Sequence, residues 1–390
     1  MKKIPLVECW NFVGSTPQKF DGEKRYISTG ALDKDHINES DVEMITFDNR
    51  PSRANLEVNS GDILFAKMAS TEKTFVVDSI SKNDIYSTGF CAVRANESKI
   101  LSKCLYYFLS SSLFLEQKDK NSSGATQKAI TNAGLSKIYI NLPELAEQQE
   151  FIEQMDSLTS LVIARREQLA KLDELVKSRF IELFGDPKLN DKGWTVSALG
   201  EYMTLLTDFS ANGSYELLDS NVVMYDEPNY AVMVRTTDLE AGDLTNGVKY
   251  IDQAAYELLS KSKLFGGELI MNKIGSAGKI YIMPQIDKPA SLGRNAFMFR
   301  FDDRINMTYL YALLSSDYGT KEIQQYVRGA VTKTITKEST RSIRVIVPPI
   351  ELQEQYAAFA EQIDKSKFEI QKSLEKLETL KKALMQKYFG

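Results

Sequence analysis

Two long stretches of the chain repeat apolar residues every three or four positions against a background of Lys, Arg, Glu, Asp and Gln. The first carries Met155, Leu158, Val162, Leu169, Leu172, Val176 and Leu183; the second carries Phe359, Ile363, Ile370, Leu374, Leu377, Leu380 and Leu384. A seven-residue rhythm with a narrow apolar seam predicts two long amphipathic helices, over 144–186 and 349–390. Pro143 and Pro348 end the preceding segments and sit where helices start, and Gly185 before Asp186-Pro187 supplies a stop. Elsewhere short runs bounded by turn residues predict strands: RYISTGAL, GDILFAK, FVVDSI, FCAVR and KIYINLP before the first helix, then AVMVRTTDL, GELIMNK, KIYIMP, NAFMFRF and IRVIVPP before the second. Shorter helices are predicted over Lys103–Phe114 and Thr308–Ser315.

These elements come in the same order twice. GATQKAIT (Gly124–Thr131) matches GAVTKTIT (Gly329–Thr336) at five of eight positions, with an offset of 205. The same offset relates LYYFLSS to LYALLSS, Pro143 to Pro348, Gln148 to Gln353, Leu169, Leu172 and Leu175 to Leu374, Leu377 and Leu380, and Phe184-Gly185 to Phe389-Gly390. One register kept over some eighty residues is a duplication. Upstream the match loosens, because the second copy is longer in its early part. The expected organisation is therefore a first domain over 1–143, a helix over 144–186, a second domain over 187–348 and a C-terminal helix over 349–390. A helix of about 35 residues spans roughly 50 Å, more than one domain core needs. The two helices are expected to pair antiparallel, giving a closed object with pseudo-two-fold symmetry.

Composition narrows the function. At 390 residues, 43% hydrophobic and 26% charged, the chain has the make-up of a globular protein with two units. No stretch of eighteen apolar residues occurs and MKKIPLVECW lacks a signal-peptide core, so no membrane association and a cytoplasmic setting are expected. Cys9, Cys91 and Cys104 are too scattered for a disulfide framework or a zinc cluster. The one histidine, His36, leaves no base for a Ser or Cys triad, and neither a phosphate-binding loop nor a proper G-x-G-x-x-G is present; GSAGK at Gly275 has the wrong spacing. Asp84 with Glu97-Ser98-Lys99 resembles the carboxylate-plus-lysine pattern of metal-dependent nucleases, a pattern frequent by chance. The net charge of −5 means that any attraction to nucleic acid must be local.

A tandem repeat in which G-[AS]-x-x-x-x-[IL]-[ST] leads to a strand, a proline, a Gln-rich helix start (ELAEQQEFIEQM; IELQEQYAAFAEQI) and a leucine heptad helix ending in FG resembles the specificity subunits of type I restriction-modification systems. The resemblance covers essentially the whole chain. It implies an α+β fold with two mixed α/β target-recognition domains in tandem, joined by two long helices forming an antiparallel coiled coil. It implies a non-catalytic subunit that reads a bipartite, asymmetric site in double-stranded DNA and docks two methyltransferase subunits, with restriction (translocase/nuclease) subunits as further partners. S-adenosylmethionine, ATP and Mg²⁺ then belong to partner chains, and none to this one. Methylating a stacked adenine requires swinging it out of the duplex, so correct placement of the methyltransferase is itself a contribution to the reaction.

Side chains that fix register on phosphates or read base edges collect in loops after strands. In the first copy these are Lys67, Ser70, Thr71 and Lys73, with Thr126, Gln127 and Lys128 on the glycine loop. In the second they are Asn272, Lys273, Ser276, Lys279, Arg294 and Asn295, with Arg328, Thr332 and Lys333 on the second glycine loop. The early segments differ (GSTPQKFDGEKRY against TDFSANGSYELLD), which predicts two unlike half-sites. A coiled-coil scaffold whose domains bind proteins and not DNA is the alternative.

Overall fold

The structure is a computed structural model that describes residues 2–390. It divides into two compact units, Met1–Gln168 with Ile370–Gly390, and Leu169–Glu369. Both cuts fall inside long helices, Leu145–Phe184 and Ile350–Phe389, because each unit contains the start of one helix and the end of the other.

In the first unit, strands Lys2–Pro5 and Tyr139–Leu142 pair antiparallel, with Ile4 opposite Ile140. One four-stranded sheet runs Trp10–Phe12, Phe90–Ala95, Ile63–Ala66, Thr74–Val76, antiparallel throughout. Another runs Glu43–Ile45, Lys24–Ile27, Ile85–Ser87, Ala54–Leu56, with its central pair parallel. The second unit repeats this arrangement strand for strand. Thr195–Ala198 pairs with Arg344–Val347; Met203–Asp208, Ala296–Phe301, Leu269–Asn272 and Ile280–Ile282 form the antiparallel sheet. Lys249–Ile251, Ala231–Val234, Ala290–Leu292 and Lys263–Leu264 form the other, again with a parallel central pair. The added length of the second copy lies between Asp208 and Ala231 and contains helix Tyr215–Asn221.

The repeat register has a structural cause at Gln148 and Gln353, both fully buried one turn inside the long helices. The Gln148 amide donates to Lys99 O (2.8 Å) and Pro143 O (3.0 Å), and its Oε1 accepts from Leu101 N (2.8 Å). Gln353 donates to Arg304 O (3.1 Å) and Pro348 O (2.8 Å) and accepts from Asn306 N (2.9 Å). Each amide satisfies buried backbone groups that would otherwise lose their partners, and so fastens helix start, strand end and preceding loop together.

Phe-Gly at the end of each long helix serves the same purpose in each unit. In the first, Phe389 meets Phe151 edge-on at 5.0 Å and lies 5.5 Å from Phe108, and Asn141 donates to Gly390 O at 2.6 Å. In the second, Phe184 meets Tyr309 at 4.6 Å and Tyr356 at 5.7 Å. Gly185 takes φ +76° and its N–H caps Ile181 O, a left-handed helix stop that favours glycine. The helix segments within each unit run antiparallel: Phe151 against Tyr388 and Arg166 against Glu378 in the first, Asp173 against Lys367 and Phe180 against Tyr356 in the second.

Several local expectations are corrected. RYISTGAL forms two strands, Lys24–Ile27 and Leu32–Asp33, with a turn between them. In AVMVRTTDL only Ala231–Val234 is strand; Thr236–Ala241 is helix, begun by Asp238, whose carboxylate accepts from Arg235 N at 2.9 Å. The helix expected over Lys103–Phe114 is two, Ser102–Leu109 and Ser112–Lys120, because Ser111 caps the second through Phe114 N. Leu380 is 54% exposed and outside the seam, which passes instead through Leu377, Lys381 and Leu384.

Candidate nucleic-acid interface

Strand Ile63–Ala66 is buried along its length and emerges as the loop Lys67–Lys73, closed by Ala66 N donating to Lys73 O at 3.0 Å. The glycine loop lies along this segment: Ile130 N donates to Lys67 O (2.8 Å) and Ala69 N to Lys128 O (3.0 Å). A third segment joins them where Lys67 N donates to Gly89 O (2.9 Å). The second unit makes the same contacts, Ile335 N to Lys273 O (3.1 Å), Gly275 N to Lys333 O (2.9 Å) and Lys273 N to Asn295 O (2.9 Å). Three loops distant in sequence thus form one backbone-paired surface in each unit. It gathers the residue set chosen from sequence and adds Thr88-Gly89, the first-copy counterpart of Arg294-Asn295, which no charge or motif marked.

The glycine of each G-x-x-x-x loop is required by the turn. Ser123 and Ala129 exchange both backbone hydrogen bonds across Gly124, at φ +138°, where a Cβ would lie 2.4 Å from Gln127 O. Arg328 and Thr334 do the same across Gly329, at φ +103°, with Thr332 O 2.1 Å from the Cβ position. The tight turn leaves Thr126, Gln127, Lys128, Thr332 and Lys333 exposed. Among the described residues the Lys128 and Lys333 ammoniums have no protein partner, so both are free to meet an anion.

Other members of the set are held by the protein. Lys67 donates to Thr88 O (3.0 Å), Lys73 to Thr29 O (2.8 Å) and Thr71 Oγ1 to Ala69 O (3.2 Å). Ser70 is exposed, at φ +57°, with its N–H and Oγ on the Asp119 carboxylate. Ser276 and Asn295 are exposed, Lys279 pairs with Glu240, and Arg328 donates to the carbonyls of Gln325 and Val327. Arg294 bonds Asp219 at 3.1 Å, its guanidinium 5.1 Å from the Phe209 ring and 5.9 Å from that of Tyr215. Asn272 and Lys273 do not belong to the exposed set. Asn272 ends a strand buried on both faces and is 4% exposed; Lys273 turns inward to Asp208 at 2.7 Å.

Asp208 is a charged centre that the sequence pattern did not mark. Its carboxylate, 8% exposed, holds Lys273 (2.7 Å) on one oxygen and Lys337 (2.8 Å) on the other. Burial works to raise its pKa, but the two ammoniums together outweigh it and hold the carboxyl below its ordinary range. The nuclease-like trio has other occupations. Asp84 is buried, which pushes its pKa up; Glu97 caps Ser102 N, and Lys99 pairs with Glu8. His36 is exposed beside Asp35, and the three cysteines are buried free thiols, with burial raising Cys9 to about 11 and Cys91 to about 12. No helix of the described residues is long and apolar enough to cross a membrane.

The model of the type I restriction modification DNA specificity domain matches this chain twice, over residues 13–174 and 192–382. The chain belongs to that family. It is 24% identical over 342 residues to the type I restriction enzyme MjaVIII specificity subunit of Methanocaldococcus jannaschii, covering 84% of this chain and 78% of that one. It is 22% identical over 330 residues to the EcoBI specificity subunit of Escherichia coli, covering 77% and 67%. In fold it is similar to the crystal structure of a type I restriction-modification S subunit from M. genitalium, with a TM-score of 0.57 at 15% identity over 100% of this chain and 96% of that one. A chain solved in work on complex assembly and conformational transition of a type I R-M system gives 0.62 at 20% identity, covering 99% and 97%. The two matched stretches coincide with the duplicated topology, so tandem specificity domains of mixed helix and sheet are what this family fold consists of here.

Proposed function

We propose that this specificity subunit reads a bipartite, asymmetric site in double-stranded DNA, one half with each unit's three-loop surface, and docks two methyltransferase subunits on its long helices. The observation that carries this is the glycine loop fixed along a strand-end loop, present twice with a free lysine at the same position, Lys128 and Lys333, but in unlike surroundings. Such lysines set register on phosphates. Neighbouring polar groups, Thr126, Gln127 and Ser70 in one unit and Thr332, Ser276 and Asn295 in the other, are exposed where they could meet base edges.

Methyl transfer from S-adenosylmethionine, and ATP- and Mg²⁺-dependent cleavage by restriction subunits, belong to the partner chains, and the complex works in the cytoplasm. Because the chain is net negative, part of the phosphate attraction comes from the methyltransferase subunits. Fluorescence anisotropy on a methylated-motif duplex, with and without those subunits, tests the proposal. Expected are tight, site-selective binding with them, weak binding without, and affinity that falls steeply with salt. A scaffold without DNA contacts would give no site selectivity in either case.

A further inference from the structure

Lys118 lies in helix Ser112–Lys120 and is 2% exposed, one of the few charged side chains inside the first unit. Burying an ammonium costs several kcal/mol unless its hydrogens are satisfied. Here all three have partners, and all three partners are carbonyls of one loop: Ala66 O (3.1 Å), Met68 O (3.0 Å) and Thr71 O (2.7 Å). Among the described residues no carboxylate pairs with it, though Asp119 and Glu72 face it at longer range. The next residue works on the same loop. Asp119 accepts from Ser70 N (2.8 Å) and Ser70 Oγ (3.3 Å), holding a non-glycine residue at φ +57°. Two adjacent side chains of one helix thus grip four residues of this loop, Ala66, Met68, Ser70 and Thr71.

The second unit shows that packing does not require this lysine. The repeat register places Ile323, 2% exposed, where Lys118 stands and Gln324 where Asp119 stands. There the loop is shaped by Gly275 and Gly278 at φ +80° and +87°, and Gln324 makes one long contact, 3.5 Å to Ala277 O. An apolar side chain fills the slot, so the buried charge in the first unit serves the loop rather than the core. The loop also borders a cavity of about 650 Å³ lined by Thr71, Lys73, Lys118 and Met155, which gives it room to move if the grip is cut.

We propose that Lys118 and Asp119 are positioning residues for the first half-site: without touching DNA, they fix the loop Lys67–Lys73 in one conformation and so set which bases the first unit accepts. This rests on the DNA-reading function proposed above. The test uses the full chain carrying Lys118→Met, which keeps length and volume without the charge, and separately Asp119→Asn.

In the free chain, amide hydrogen exchange at Met68–Lys73 is expected to rise about tenfold or more while Lys273–Lys279 stays unchanged. In complex with the methyltransferase subunits, preference for the correct over a substituted first half-site is expected to fall about tenfold, with second half-site preference intact and Asp119→Asn smaller in the same direction. A folded Lys118→Met chain with unchanged exchange overturns the proposal, as does equal loss of preference at both half-sites, which would mark a general loss of stability. If Lys118→Met does not fold, Asp119→Asn decides by the same two readouts. A wild-type complex with no half-site preference would refute the proposed function, while exchange would still decide whether the grip exists.

Discussion

The two units share the topology of their two four-stranded sheets and of the paired strands at their ends, yet fix their recognition loops with charges of opposite sign. In the first, a buried cation, Lys118, reaches from a helix to three loop carbonyls. In the second, a buried anion, Asp208, reaches from a strand end to Lys273 in the loop and to Lys337 beyond the glycine turn. The difference teaches that this fold specifies where the loop must be held, not by what. It also sets the charge offered to a ligand. Lys67 and Lys73 rest on neutral carbonyls, whereas Lys273 and Lys337 share one carboxylate.

The largest expected effect comes from what the units have in common. Phe184→Ala empties a fully buried aromatic site against Tyr309 and Tyr356 and is expected to destabilise the second unit by about 3–5 kcal/mol. Phe389→Ala should do the same to the first unit; denaturant unfolding followed by unit-specific hydrogen exchange reads both. If either change loosened neither unit, the helix ends would not be core elements.

Next is Asp208→Asn, which leaves two ammoniums facing a neutral amide. Breaking a buried pair costs about 3–5 kcal/mol, and the part-exposure of Lys337 lowers the expectation to about 2–3 kcal/mol, confined to the second unit. The sign with pH follows from a folded pKa below the unfolded one. Asp208 contributes its stability above the ordinary carboxylate range and loses it as pH falls through its lower folded value. Acid titration of unfolding should therefore be flatter for the variant than for wild type below about pH 4.

Gly124→Ala and Gly329→Ala each force a Cβ against a carbonyl oxygen at positive φ, with an expected local cost of about 1–3 kcal/mol. Each should weaken recognition of its own half-site, measured by anisotropy on duplexes altered in one half. Equal weakening of both halves by one substitution would break the picture of separate readers. The smallest effects belong to Lys128→Gln and Lys333→Gln, each expected to lower the slope of log affinity against log salt by about 1, nearly independent of sequence.

How much of this was legible in the sequence follows from how local each signal is. The long helices were readable because their apolar rhythm, Pro143 and Gly185 act within one or two turns of where they stand, and the duplication because Pro143, Gln148 and Phe184-Gly185 recur at Pro348, Gln353 and Phe389-Gly390. The strand-end and glycine loops of both copies and the Arg294-Asn295 loop were found by their polar residues, whereas Thr88-Gly89 was not. Their internal division was not readable, since Lys273 meets a carboxylate 65 residues away and Asn272 belongs to a strand whose burial depends on neighbours on both faces. Lys118 and Asp119 lie beyond the short helix predicted over Lys103–Phe114 and carried no sequence signal of their own. The one available sign was that Lys118 falls opposite Ile323 in the repeat, a charge where the other copy has an apolar residue.

The central claim is that two unlike surfaces on one chain read two unlike DNA segments. Single-molecule mapping of methylated adenines in DNA from a host expressing the chain with its methyltransferase subunits tests it most directly. The account predicts one motif made of two different specified segments separated by a spacer of constant length. A palindromic or uninterrupted motif, or methylation with no motif, would contradict it.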